Sequence, residues 1–187
     1  MHGTADVTLD FVEKLGNIAP GNLNYVKSFS GGSESIESAI KFTRQYFKQT
    51  GYPGKYKFIS RYFGYHGATI GAMSASGTGK RKTGFEPQMG GFLKVFPPTY
   101  YRDRFSTWEE CNRFCAQSFE DVIINEDPDS VAGIIIEPIG NTGGIITPSE
   151  EYFQIIRQIC ERYNVILIYD EIITGFARTG AMFAAQT

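Results

Sequence analysis

Three linked segments decide the fold: VAGIIIEP at residues 131–138, SEEYFQIIRQICERYN at 149–164 and VILIYDE at 165–171. The first and third are continuous apolar runs of strand length, the pattern of strands covered on both faces. Between them, Phe153, Ile156, Ile159, Cys160 and Tyr163 recur at helical spacing behind Ser149, a good N-cap. Strand, helix, strand in this order is a βαβ unit, for which parallel strands and a right-handed crossover are the dominant geometry. Both strands run into acid, Glu137 after the first and Asp170 with Glu171 after the second. Buried carboxylates are costly unless something pairs with them, so each needs a partner.

Upstream, the alternation continues. YKFIS, 56–60, reads as a strand. It follows a helix whose Ile36, Ala39, Ile40, Thr43 and Phe47 share one face, with Ser33 as candidate N-cap and Gly51 and Pro53 closing it. RYFGYHG then reads as a loop and ATIGAMSASG as a small-residue helix, while residues 77–105, rich in glycine and proline, resolve into no element and are expected to cross the molecular surface. TWEECNRFCAQSFEDVIIN predicts a helix with Thr107 and Glu110 spaced as a capping box and Trp108, Cys111, Cys115, Phe119 and Val122 along one side. At the start, VTLDFVEKLGNIAPG reads as a short helix stopped by Gly16 and Pro20, and NLNYVKSFS as extended chain. The expectation is one α/β domain, a three-layer α/β/α arrangement around a mostly parallel sheet.

Composition bounds the function. The 187 residues suffice for one substantial core, and 18 basic against 20 acidic residues, spread along the chain, argue against nucleic acid or an acidic membrane as partner. Cys111, Cys115 and Cys160 form an odd set without a CxxC pair, which predicts thiols and a reducing compartment. His2 and His66 are the two histidines, too few for a zinc site of the usual kind, so no metal is expected. No apolar stretch approaches membrane-spanning length, and a soluble, cytoplasmic protein is expected.

The polar residues converge. Glu137 and Asp170 lie just past the C-terminal ends of their strands and Tyr65 with His66 follows a third, the edge where ligands of open α/β sheets gather. Gly32 and Ser33 lead into a helix whose free N–H groups and positive dipole end form a phosphate cradle. Gly64 and Gly67 flank Tyr65 and His66, letting a ring approach a planar ligand. Singly, these features also fit a tight turn, an aromatic loop and carboxylates at a solvent rim. Together they suit a flat phosphorylated aromatic with a basic ring nitrogen. Pyridoxal 5′-phosphate has this shape, and Asp170 would hold its pyridine nitrogen protonated. Glu171 alternates to the other strand face and is expected to make a structural pair with Arg178.

These residues resemble those of the class III pyridoxal-phosphate aminotransferases of fold type I. FSGGSESIESAIKFTR is similar to the family's phosphate-loop helix, GYHGAT to its ring-stacking loop, and IIIEPIGNTGGIITPSEEYFQIIRQICERYNVILIYDEIITGFARTG to its strand, helix and aspartate strand. The resemblance implies that Gly32 and Ser33 hold the cofactor phosphate, that Tyr65 stacks on the ring with His66 beside it, that Asp170 meets the pyridine nitrogen, and that Ile172 packs on the opposite ring face. Asp170 and Glu137 are thereby the candidate catalytic carboxylates, Glu137 matching a glutamate that lies near the substrate and pairs with an arginine from further along the chain. The reaction implied is amino-group transfer from an amine or ω-amino acid to a keto acid such as pyruvate, in a homodimer.

Two departures shape the expectation. In many members a glutamine that bonds the cofactor's phenolic oxygen stands where this chain has Ile173; an apolar residue there is similar to enzymes acting on ω-amines with pyruvate, whereas FPPTYYRDRF is similar to a stretch of dialkylglycine decarboxylase. The family's Schiff-base lysine follows the aspartate strand, beyond residue 187. Residues 1–187 are therefore expected to be a partial large domain, without the family's N-terminal segment, lysine region or C-terminal small domain, and inactive alone. Lys55, Lys57 and Lys80 are expected at the surface. Two rival readings stand beside this one: a non-catalytic module on the same fold, and a P-loop NTPase. The latter fails at GTGK, 77–80, because Arg81 stands where a hydroxyl residue should bind Mg²⁺.

Overall fold

The expected sheet forms, with one strand more than the sequence reading provided. In the computed structural model, which describes residues 5–101 and 105–186, β1 (Lys57–Arg61), β2 (Phe92–Val95), β3 (Val131–Ile136) and β4 (Ile166–Tyr169) are all parallel, in the order β2-β1-β3-β4. β2 falls in the stretch that the sequence left without elements. It is a four-residue strand whose first three residues are only half-buried, too short to show a period of its own. His2 and residues 102–104 of FPPTYYRDRF lie outside the described residues.

Five α-helices accompany the sheet: α1 (Asp6–Ile18), α2 (Gly32–Gln49), α3 (Ile70–Ala75), α4 (Trp108–Asn125) and α5 (Glu150–Tyr163). One core packs α2 and α3 against the sheet through Ile36, Ile40, Phe47, Phe58 and Ile135. The other packs α4 and α5 on the opposite face through Cys115, Phe119, Ile134, Ile136 and Ile156. The result is the expected α/β/α layering. Every residue of β3 is buried because strands flank it on both sides, whereas the four residues of the outer strand β4 are all half-buried. Cys111, Cys115 and Cys160 are buried thiols, and burial pushes Cys160 up to about 12. No helix among the described residues is long and apolar enough to cross a membrane.

Several local expectations need correction. α1 does not stop at Gly16 but continues to Ile18, and glycine is used there for space: a Cβ would stand 2.9 Å from the Asn24 carbonyl oxygen as the chain folds back. Helix α2 starts two residues earlier than expected, with Gly31 in place of Ser33 as N-cap and no side-chain cap. On α5 Ile156, Ile159 and Cys160 are buried as expected, but the fully buried aromatic is Tyr152, while Phe153 and Tyr163 are only partly covered. Ser149 does cap α5, accepting from the Tyr152 N–H at 3.2 Å. Thr107 caps α4, accepting from the Glu110 N–H, but the Glu110 carboxylate returns to the Ser106 N–H, one residue outside the box.

The lysines differ most from expectation. Lys57 pairs with Glu126 at 2.9 Å and Lys80 is exposed, but Lys55 is 2% exposed. Its ammonium donates to the carbonyls of Pro128, Val131 and Tyr163 at 2.7–3.0 Å, binding three chain turns at the N-terminal end of the sheet. Lys94 on β2 is likewise drawn inward, donating to the Ser60 hydroxyl and to the Ser74 and Ala75 carbonyls. Burial, aided by the charge of Lys82, pushes it down to about 7. The folded state thus binds this proton less tightly than the unfolded chain, whose lysine titrates near 10.5. Between those values the unfolded chain holds more protons, so the Lys94 contribution rises with pH. Urea unfolding at pH 7 and pH 10 should show the wild type gaining up to about 3 kcal/mol relative to Lys94→Met. A pH-independent difference would contradict it.

Candidate active site

The site begins at the N-terminus of α2. Its first N–H groups have no partner within the helix, and the Ser35 N–H, bonding the Gly31 carbonyl at 3.1 Å, opens the helical ladder. The Ser33 hydroxyl is not spent on capping. It accepts from the Ala68 N–H at 3.0 Å, joining the loop after β1 to the start of α2. Glu37, one turn further along, adds three bonds: its Oε1 accepts from the Thr69 hydroxyl at 2.6 Å and from the N–H groups of Gly71 and Ala72 at 2.8 and 3.2 Å. These cap the short α3 from another helix, which Thr69 itself does not do. Gly67 allows the close approach. Its φ is +136°, and a Cβ there would stand 2.5 Å from Ser33 Oγ and 2.8 Å from Ala72 Cβ.

The GYHG loop therefore has one place to lie, and it carries His66 to Asp170. His66 is 3% exposed, its N–H donates to the Ser76 hydroxyl at 2.8 Å, and its Nδ1 meets Asp170 Oδ2 at 2.8 Å. Asp170 extends the β4 ladder through an N–H bond to the Ile136 carbonyl, and its Oδ1 accepts from the Ile172 N–H at 3.3 Å. The expected carboxylate partner within the protein is thus a histidine. Acceptor capacity remains for a second donor, since an ionised carboxylate offers about four lone-pair directions.

The other expected residues collect around this pair. Ile172 is 68% exposed, with its Cδ1 3.8 Å from the place a Cβ on Gly32 would take. Tyr65 is half-buried, and its ring carries the Arg81 guanidinium at 5.2 Å beside a cavity of about 400 Å³ that both residues line. Glu137 is 4% exposed. Burial raises its pKa, against the lowering effects of His66, Arg61 and the Tyr65 backbone N–H, while nearby Asp170 adds to the rise. Its Oε2 has no hydrogen-bond partner among the described residues. Glu171 does not pair with Arg178: its carboxylate accepts from the Thr174 hydroxyl and from the Ala184 and Ala185 N–H groups at 2.7–3.1 Å, closing the loop after β4.

Sequence reasoning missed Glu37 and Arg61. Glu37 stands one helical turn beyond Ser33, on the same side of α2, which is the signal that could have placed it against the loop. Arg61 ends an apolar strand as Glu137 and Asp170 do, but is fully buried and donates from Nη2 to the Glu137 carbonyl. No His, Cys, Asp and Glu grouping suited to a metal ion occurs among the described residues.

The donor set fits pyridoxal phosphate. Free N–H groups at the end of an 18-residue helix suit a dianionic phosphate, the anchored Asp170 carboxylate suits a protonated ring nitrogen, and Ile172 with Tyr65 offers two surfaces for a flat ring.

Comparison with known proteins points the same way. Residues 3–187 match the family model described as "Aminotransferase class-III". A probable aminotransferase of Mycobacterium tuberculosis is 43% identical over 179 residues, covering 95% of this chain and 38% of that protein. A taurine–pyruvate aminotransferase of Bilophila wadsworthia is 36% identical, covering 96% of this chain and 39% of that one. Among solved structures, an (S)-enantioselective ω-transaminase from Thermomicrobium roseum superposes with a TM-score of 0.93 at 36% identity, over 98% of this chain and 41% of that chain. This chain thus spans about two fifths of the length of these relatives.

The loop geometry gives a direct test. Gly67→Ala should destabilise the chain by about 1–3 kcal/mol in urea unfolding, because the residue is held at positive φ against Ser33. Gly32→Ala, whose Cβ meets only Ile172 at ordinary contact distance, should change stability far less. Equal effects at the two positions would show that Gly67 is not a tight contact.

Proposed function

The chain belongs to the class III aminotransferases, and from that premise we propose that it forms the cofactor-facing part of a pyridoxal-phosphate enzyme. That enzyme transfers an amino group from an amine or ω-amino acid to a keto acid such as pyruvate. The observation that carries the reading is Asp170, held by His66 at 2.8 Å beside the open N-terminus of α2. The relatives support the substrate class: one is named for taurine and pyruvate, and the Thermomicrobium roseum protein is an ω-transaminase. The reading also takes the parent protein to be a cytoplasmic homodimer whose Schiff-base lysine lies outside these 187 residues.

Each residue then has a task. The first N–H groups of α2 and the Ser33 hydroxyl hold the phosphate, the hydroxyl donating outward while it accepts from Ala68. Tyr65 and Ile172 confine the ring between an aromatic and an aliphatic surface. Asp170 keeps a proton on the ring nitrogen, and His66 fixes the angle of its carboxylate. The bound cofactor supplies an electron-poor ring that takes up the electron pair released when a bond to the amine-bearing carbon breaks. Glu137 presents a carboxyl group on the substrate side, within reach of an ammonium or guanidinium group.

Lys82 lines the cavity beside Tyr65 and donates to the Ser76 carbonyl at 3.4 Å, whereas the two buried lysines are turned to other work. Lys55 is held by three carbonyls at the far end of the sheet, and Lys94 is committed beneath α3. Titration of the chain with pyridoxal phosphate, borohydride reduction and peptide mapping should therefore give scattered labelling and no single stoichiometric adduct. Assays with ω-amine donors and pyruvate should show no appreciable turnover by this chain alone. A stoichiometric adduct at one lysine, Lys94 above all, would overturn the assignment of that lysine to the remainder of the enzyme. Asp170→Asn should weaken reversible cofactor binding by about 2 kcal/mol or more, roughly thirtyfold, since it removes one member of a buried charge pair. Unchanged binding would place the cofactor elsewhere.

A further inference from the structure

Arg61 is a buried cation that the proposed function does not use. It is 2% exposed, in the last position of β1, and no carboxylate among the described residues forms a salt bridge with it. Arginine cannot shed its proton in a protein, so this charge must be answered by its surroundings. Nη2 donates to the Glu137 backbone carbonyl. Nη1 completes no hydrogen bond. On the α5 side the guanidinium interacts with the fully buried Tyr152 hydroxyl, drawing it back down against the rise that burial imposes, although the two do not meet in good hydrogen-bond geometry. Gly140, in the turn after β3, brings backbone close enough that a Cβ would stand 3.7 Å from Nη2. The guanidinium is thus held between the end of β3 and α5, with its second terminal nitrogen poorly satisfied. Its bond to the Glu137 carbonyl also brings the guanidinium to the residue whose carboxyl oxygen Oε2 lacks a partner and whose ionised form its charge favours.

We propose that Arg61 is a positioning residue of the candidate site: it anchors the Glu137 backbone at the end of β3 and supplies the fixed positive charge that the Glu137 side chain faces from within the protein. The inference rests on the reading of Glu137 as a substrate-side carboxylate and deepens it. Burial and the neighbouring Asp170 favour neutral Glu137, whereas Arg61, His66 and the Tyr65 N–H favour the ion. Of these, Arg61 is the one charge that does not vary with pH. His66 is already engaged by Asp170 through Nδ1. Arg61 thus keeps Glu137 able to draw in a cationic amine donor, which a neutral carboxyl would not do.

The test uses the chain itself, without cofactor. With ¹³C-labelled glutamate, the Glu137 carboxyl resonance is identified by its loss in Glu137→Gln and followed against pH. Arg61→Met should raise its midpoint by at least one unit, a tenfold weaker acid, and Arg61→Lys, which retains the charge, should recover at least half of that change. A folded Arg61→Met with an unmoved midpoint would overturn the proposal, as would an equal rise in both variants. Should Arg61→Met fail to fold, the unsubstituted chain still decides. Its Arg61 side-chain ¹⁵N resonances should shift with the Glu137 midpoint and cease to do so in Glu137→Gln; stationary resonances refute the link. Cofactor binding is measured separately, so failure there would sink the functional reading while this titration still stands or falls alone.

Discussion

The bond between His66 and Asp170 is the constraint around which the site is arranged. Asp170 ends a strand between two helical layers, where an isolated carboxylate would be expensive, and the imidazole at 2.8 Å makes that position tenable. The histidine can reach it only if the loop after β1 doubles back over α2. That path in turn requires a residue without a Cβ at Gly67 and anchors at Ser33 and Glu37. The start of α2, the loop after β1 and the strand-end acid are thus one mechanical unit. A disturbance of the turn is felt at a carboxylate on another strand.

Much of this could be read in the sequence because its signals are local and periodic. The runs VAGIIIEP and VILIYDE, and the helix between them, announced two strands and their parallel pairing, and the glycines around Tyr65 and His66 marked a close approach. β2 escaped because four residues carry no periodicity and glycine and proline surround them. Lys55 was misplaced for a different reason. A lysine is normally a surface residue, and nothing next to Lys55 in the chain signals that the carbonyls of Pro128 and Tyr163 will converge on it. The same applies to Glu171, whose partners are backbone N–H groups thirteen and fourteen positions later, where Arg178 had seemed the natural counter-charge.

Charge is distributed unevenly between the two ends of the sheet. At the N-terminal end, Lys55 is satisfied by three carbonyls, with Asp129 and Asp127 answering its charge, a closed arrangement with all three donors used. At the C-terminal end, Arg61, Glu137, His66 and Asp170 form an incomplete set in which a guanidinium nitrogen and a carboxylate oxygen still lack partners. Closed polar groups stabilise a fold, whereas open ones in a low-dielectric setting are primed to act on whatever enters. The division matches the general placement of ligands at the carboxyl ends of parallel strands.

The half-buried outer strand β4 has a consequence for how these residues behave as a separate molecule. Its outward N–H and C=O groups form a row with no strand beside them among the described residues, and its side chains are apolar. Sheets that end this way are templates for another strand, and natural proteins blunt such edges with lysine, proline or a bulge. ILIY has none of these. The strand most open to pairing is therefore the one that leads directly into Asp170, so the carboxylate at the heart of the site is carried by the least covered part of the sheet.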